Sequence, residues 1–174
     1  KQLRKQIGIV PQQSILFKGT IRDNMKWENP DLSDEDIITA LKNAQAYEFV
    51  SKLPMGLDSH VEQGGKNFSG GQRQRLCIAR AIAAQPKVLI LDDSFSALDF
   101  ATDAALRKAL SQYTHEMTVI IVTQRCSTIM NSDLILVLDD GMLAGKGTHK
   151  ELLKNCETYK EICLSQLSKS EVEV

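Results

Sequence analysis

Short, wholly apolar runs separated by stretches of helical periodicity dominate this chain. Four runs have strand length: IGIV (7–10), VLIL (88–91), TVIIV (118–122) and LILVL (134–138). None alternates apolar with polar, which predicts strands buried on both faces, as in a parallel sheet. Pro11 closes the first run because proline has no N–H to donate. SDEDIITALKNA (33–44) predicts a helix: Ser33 is placed to cap it, three acids sit at the positive end of its dipole, and Ile37, Leu41 and Ala44 share one face. AYEFVSKL predicts a second helix ending at Pro54, and the turn-rich GLDSHVEQGGKNFSGG (56–71) predicts a loop. QRQRLCIARAIAAQ then predicts a helix up to Pro86, with Leu76, Ala79 and Ala83 as its buried stripe. ATDAALRKALSQY predicts the helix between the second and third strands. A short helix follows the third, and after the turn DDG (139–141) the pattern predicts helices to a polar tail, SKSEVEV, expected to fray.

Strands alternating with helices in the second half imply βα units, whereas residues 20–85 read mainly as helix and loop. The predicted architecture is α/β: an incomplete core with a helical lobe inserted after its first strand, divided as 1–19, 20–85 and 86–174. The 174 residues, 43% of them hydrophobic, suffice for one sizeable domain or a core with a smaller lobe. A net charge of -1, from 21 basic and 22 acidic residues, supplies no overall attraction to nucleic acid or anionic lipid. No apolar run reaches the ~20 residues that span a bilayer, and KQLRKQIGIV lacks the apolar core of a signal peptide, so the segment is expected to be soluble. Cys77, Cys126, Cys156 and Cys163 show no C-x2-C pairing and are expected to be reduced thiols in a cytosolic setting.

The chemistry centres on VLILDDSFSALD (88–99). Parallel strands present ligands at their carboxyl ends, where Asp92 and Asp93 emerge. An acid there suits the water shell of Mg2+, and its neighbour can face an attacking water; capping of the next turn by Asp92 explains the first acid equally well. In SGGQRQR (69–75), two glycines allow close backbone approach, and Ser69 with the free N–H groups of the helix start forms an anion site. A serine-capped helix after a flexible loop accounts for the serine but not for the glycine pair followed by Gln72. His60, His115 and His149 are too irregularly spaced for a metal cluster, and His149 belongs with the helix start GTHKELL. Arg73, Arg75 and Arg80 lack the interleaved aromatics of a nucleic-acid patch, so a solvated or intersubunit face is expected.

FSGGQRQR followed by VLILDDSFSALD resembles the nucleotide-binding domain of ATP-binding cassette (ABC) transporters, as its signature motif and its Walker B strand with D-loop. VPQQSILFKGTIRDNM resembles the Q-loop region of exporters, placing Gln12 at the glutamine that touches Mg2+ and senses nucleotide. VEQGGKNFSGGQ is similar to the exporter stretch leading into the signature, TVIIVTQRCSTI to the switch region, and DLILVLDDGMLAGKGTHKELL to the closing strands and helix. Six motifs in order cover nearly the whole chain. The resemblance implies a P-loop NTPase (RecA-like) core with an inserted ABC α-helical subdomain, and ATP and Mg2+ as cofactors. It also implies head-to-tail pairing with a second nucleotide-binding domain and attachment to a transmembrane domain at the cytoplasmic face of the plasma membrane. Asp92 would hold Mg2+ through water. Ser69, Gly70, Gly71 and Gln72 would complete the partner's ATP site, and Asp99 would either bridge the dimer or cap the helix from Ala101.

Departures from the pattern carry as much information as the matches. No G-x-x-x-x-G-K-[ST] occurs, since Gly65-Lys66 is followed by Asn67 and Gly145-Lys146 by Gly147. The Walker A loop is therefore missing, as is the aromatic residue that stacks on adenine, and the chain is expected to be a fragment. Asp93 stands where the family usually has the glutamate base, and Gln124 where it has the switch histidine. A shorter carboxylate and an amide that cannot exchange a proton both weaken one reaction. With an intact signature, in which Phe68 replaces the commoner leucine, the pattern resembles the degenerate member of a heterodimeric exporter. A non-transport ABC ATPase acting on DNA or ribosomes, and a non-catalytic regulatory module, remain the alternatives.

Overall fold

Ile7–Val10 (β1), Val88–Asp92 (β4) and Thr118–Val122 (β5) form a three-stranded parallel sheet in the order β1-β4-β5. The computed structural model describes residue 3 and residues 6–95, 97–114 and 116–167. His115 and the tail 168–174 fall outside them. The chain divides into two compact units, Lys1–Val122 and Thr123–Val174.

In the first unit, Val10 pairs with Leu91 and Leu91 with Ile121. One face of this sheet, carrying Val10, Leu89 and Leu91, packs into a core with Ile78 and Ile82 of Gly70–Ala83 (α4) and Leu106 and Leu110 of Phe100–Tyr113 (α5). The other face is open: Ile9 is 57% exposed, Ile120 46% and Val122 53%. Among the described residues α4 and α5 cover one face only, so the second layer expected over these strands is not found among them.

Residues between β1 and β4 build a helical lobe on α4. Gly19–Thr20 (β2) leads into Ile21–Met25 (α1), followed by Asp34–Asn43 (α2) and Tyr47–Ser51 (α3). Reciprocal capping boxes start two of these helices, Thr20 with Asp23 and Ser33 with Asp36. Each satisfies two otherwise unpaired N–H groups within a four-residue span. Buried Asn24 accepts from the Phe17 N–H at 2.8 Å and donates to the carbonyls of Phe17 and Thr20, fixing the loop that leaves β1. The predicted loop 56–71 is more ordered than its composition suggests. It holds two single-turn 3-10 helices and His60–Val61 (β3), which pairs antiparallel with β2, and α4 starts at Gly70 rather than Gln72.

In the second unit, the short helix Cys126–Ile129 (α6) precedes a hairpin of Ile135–Asp139 (β6) and Met142–Gly147 (β7), then His149–Asn155 (α7) and Glu157–Gln166 (α8). The turn has φ of 44° at Asp140 and 76° at Gly141, the left-handed pair that a two-residue Asp-Gly hairpin requires. β7 corrects the pattern-based expectation of helices directly after this turn and agrees with the closing strands that the resemblance implies: MLAGKG lacks strand periodicity, and its place comes from pairing with β6 and closing on α7. A Cβ on Gly145 would come within 2.7 Å of Cys156 Sγ, so only glycine permits that approach. Ile135 and Val137 face a core of Leu152, Cys156, Tyr159 and Cys163, while Leu136 and Leu138 are exposed, so this strand too is covered on one face only. His149 is buried at the start of α7, with Nδ1 2.8 Å from the Tyr159 hydroxyl. No helix among the described residues is long and apolar enough to cross a membrane.

Candidate functional site

Because β1 and β4 are adjacent and parallel, the residues leaving their carboxyl ends converge. Gln12 Nε2 lies 3.5 Å from Asp93 Oδ2, a long hydrogen bond between residues 81 apart. Asp92, the last residue of β4, is exposed. Asp93 turns sharply with φ of 44°, a left-handed conformation that aspartate tolerates better than most residues, and its N–H donates to the Val122 carbonyl at 2.8 Å. Fully buried Ser94 locks the turn beneath: its hydroxyl donates to the Val10 carbonyl at 3.0 Å, with the Asp92 carbonyl a second acceptor at 3.2 Å. Ser94 did not emerge from sequence reasoning. Its only signal there was a serine directly after an acid pair, which many turns share.

This cluster suits a hard cation. The Asp92 carboxylate is exposed, and Gln12, whose amide nitrogen faces Asp93, keeps its carbonyl oxygen for a ligand. Mg2+ is commonly held by one or two such oxygens, with water and phosphate completing its shell. The described residues contain no group of three His, Cys, Asp or Glu that would cage an ion by itself.

At the start of α4, Ser69 Oγ accepts from the Gln72 N–H at 3.2 Å and Gln72 Oε1 accepts from the Ser69 N–H at 3.0 Å. The box consumes acceptors. The Ser69 hydroxyl proton and the Gln72 amide protons stay available beside the first-turn N–H groups, which is an anion-attracting set of donors. A Cβ on Gly71 would sit 3.3 Å from the Ala97 carbonyl and 3.5 Å from Leu98, so packing against the loop after β4 explains this glycine. Gly70 is different, since its nearest neighbour would be Ala97 Cβ at 3.9 Å. Packing leaves Gly70 unexplained; approach of a ligand would account for it.

Asp99 caps α5, which starts at Phe100 rather than Ala101. Its two oxygens accept from the Thr102 N–H at 3.0 Å and the Thr102 hydroxyl at 2.7 Å. These bonds, the backbone one foremost, hold its carboxyl below the usual range. The three arginines, expected on a solvated or intersubunit face, are each half-buried, and each donates to a backbone carbonyl of the first unit. Arg73 donates to the Phe68 carbonyl at 3.0 Å, Arg75 to that of Gln45 at 2.6 Å and Arg80 to that of Ile15 at 3.0 Å. Gln124 belongs to the second unit and is exposed; its carbonyl accepts from Gln166 Nε2 at 2.7 Å.

The structure thus gathers Gln12, Asp92 and Asp93 in one cluster and assembles Ser69 to Gln72 as one donor surface against Ala97. A family model described as ABC transporter matches residues 1–96. An uncharacterized ABC transporter ATP-binding protein of Bacillus subtilis is 48% identical over 96% of this chain, and ATP-binding cassette sub-family B member 5 of Homo sapiens is 42% identical over 95% of it. The chain spans 29% of the first protein's length and 13% of the second's. The solved structure of a bacterial Atm1-family ABC exporter with ATP bound is similar at a TM-score of 0.89 and 38% identity, over 93% of this chain and 29% of that one.

Proposed function

Because the chain belongs to the ABC transporter family and its core is of the P-loop NTPase type, we propose that it is part of the ATP-binding domain of an exporter and contributes a degenerate ATP site. The observation that carries this reading is the meeting of Gln12 and Asp93 beside Asp92, with an aspartate where a longer carboxylate would reach an attacking water. Residues 20–85 form the helical subdomain, and 1–19 with 86–174 belong to the RecA-like core. The open sheet faces around Ile9, Ile120 and Val122 are where further parts of that core pack.

Mg2+ and ATP, when bound, supply a phosphoryl group whose charge the metal offsets. Asp92 and Gln12 would hold the metal, Asp92 through water, and Gln12 would connect it to the loop held by Asn24. Asp93 is a poor base: one methylene fewer withdraws its carboxylate by roughly 1 Å, and a positioned base contributes on the order of 10^2 to 10^4 in rate. Gln124 can donate a hydrogen bond to a terminal phosphate oxygen but cannot carry a positive charge. Ser69, Gly70, Gly71 and Gln72 present their donors to the ATP of a second, different nucleotide-binding domain, and Asp99 lies towards that partner. A transmembrane domain in the same or a partner polypeptide carries the cargo, and this domain works at the cytoplasmic face of the plasma membrane.

The test is the full-length protein with its partner domain, compared with Asp93→Glu and Gln124→His. The reading expects faster turnover and shorter ATP retention at this site on restoration; if neither changes, it is wrong. Several apolar spans of ~20 residues in the full-length sequence favour an exporter, and their absence there a non-transport ATPase.

A further inference from the structure

Cys126 and Cys163, 37 residues apart in the chain, meet in the core of the second unit with their sulfurs 3.0 Å from each other. Both are buried, at 2% and 0% exposure. The other two cysteines make different contacts: Cys77 Sγ lies 3.6 Å from the Ile15 carbonyl and Cys156 Sγ 3.8 Å from that of Ala144. One turn beyond Cys163 on α8, Gln166 reaches the same segment. Its Oε1 accepts from the Cys126 N–H at 3.0 Å and its Nε2 donates to the Gln124 carbonyl. Cys163 and Gln166 therefore grip residues 124–126 from one face of α8.

We propose that Cys126 and Cys163 are a latent disulfide pair, which oxidation by a peroxide or a small-molecule disulfide closes to staple α8 onto the segment carrying Gln124. A disulfide needs its sulfurs at about 2.05 Å, so from 3.0 Å they must approach by about 1 Å. With hydrogen peroxide, one thiolate attacks an oxygen, the O–O bond breaks, and a sulfenic acid forms as water leaves. The second thiolate attacks that sulfur, the S–O bond breaks and a second water leaves. Two thiols thus lose two electrons and two protons, and the peroxide becomes two waters. With a small disulfide, two successive exchanges release two small thiols.

Burial, and then the adjacent Cys163 thiol, push the Cys126 thiol up to about 12, so its thiolate is scarce in the closed fold. Oxidation is accordingly slow and proceeds through opening of the end of α8. It acts as a cumulative mark rather than a rapid sensor.

The pair does not depend on the nucleotide reading, because the bond is detected by mass and not by turnover. The full-length protein is incubated with hydrogen peroxide, unfolded, alkylated and digested. The expected result is joint loss of alkylation at Cys126 and Cys163, a linked peptide containing both, reversal by dithiothreitol, and persistent alkylation of Cys77 and Cys156. Amide exchange across 124–129 slows in the oxidised protein. Cys163→Ser and, separately, Cys126→Ala abolish the linked peptide; the reversal by dithiothreitol controls for folding without any substitution. Persistent alkylation of all four thiols, or oxidation of Cys126 and Cys163 to unlinked sulfinic acids, overturns the proposal.

Discussion

Gln12 and Asp93, separated by 81 residues, stand 3.5 Å apart at the ends of two neighbouring parallel strands. The left-handed turn at Asp93 aims a short carboxylate at the glutamine, and the Ser94 hydroxyl pins that turn to Val10. Position and side-chain length thus become separable, because the backbone sets the first and one methylene the second. Asp93→Glu in the full-length protein with its partner is expected to raise single-site ATP turnover by about 10-fold or more. Asp93→Asn should lower it further, and equal rates for all three side chains would remove Asp93 from the reaction.

Ser69 has two separable roles, closing α4 and offering a proton to an anion. Ser69→Ala removes the cap and should cost about 1 kcal/mol, read as a lower thermal midpoint. Ser69→Asp keeps a good cap and suits the helix dipole, so stability should stay within about 0.5 kcal/mol of the parent. Its negative charge should nonetheless abolish ATP turnover at the partner's site. Retained turnover in Ser69→Asp would show that no phosphate comes near this residue.

The two signature glycines should respond differently. Gly71→Ala forces a methyl group to within 3.3 Å of the Ala97 carbonyl, so it should loosen the contact between α4 and the 97–98 loop and lower the melting temperature. Gly70→Ala meets only Ala97 Cβ at 3.9 Å and gains helix propensity, so it should be neutral or stabilising by up to ~1 kcal/mol without nucleotide. Nucleotide-dependent association with the partner domain should nevertheless fall. Equal melting losses in the two variants would contradict this assignment.

Burial, aided by the nearby Lys150 charge, holds the His149 imidazole below its ordinary 6.5. The folded chain therefore binds this proton less readily than the unfolded chain. The resulting stability is present in full above the ordinary value and is lost as pH falls from about 6.5 towards the lower folded value. Thermal midpoints at about pH 7.5 and pH 5.5 should diverge less in His149→Phe than in the parent. Identical pH dependence in both would place the titration elsewhere.

A lower acid window has a different origin. Thr102 lowers the Asp99 carboxyl, Ser33 that of Asp36 and Thr148 that of Glu151, each through capping hydrogen bonds. These caps contribute above the ordinary carboxylate range and fade as protonation removes their charge, so helix content should begin to fall below about pH 4. Far-ultraviolet circular dichroism should follow that loss in the parent, with a smaller change in Asp36→Asn. An unchanged transition in that variant would exclude Asp36 as a contributor.

The features legible in the sequence were those decided within a few residues. The Ser33 and Ser69 caps, the predicted helix faces, the Asp-Gly turn and the order of strands and helices follow from hydrogen bonds and side-chain periodicities of short range. Motif resemblance likewise marked Gln12, Asp92, Asp93 and the signature, because each motif is a local string. The apolar pattern does not mark MLAGKG as a strand, because its pairing with β6 outweighs its own propensity; only the resemblance to the family's closing strands does, and the apolar strands suggest two covered faces where the described residues cover one. Only tertiary structure decided that Gln12 meets Asp93, that Ser94 reaches Val10, that Gly71 packs more closely on the 97–98 loop than Gly70, and that Cys126 lies against Cys163. Those relationships join residues from 26 to 84 positions apart, set by which strands are neighbours and which helix faces them, and no short-range pattern in the chain encodes that adjacency.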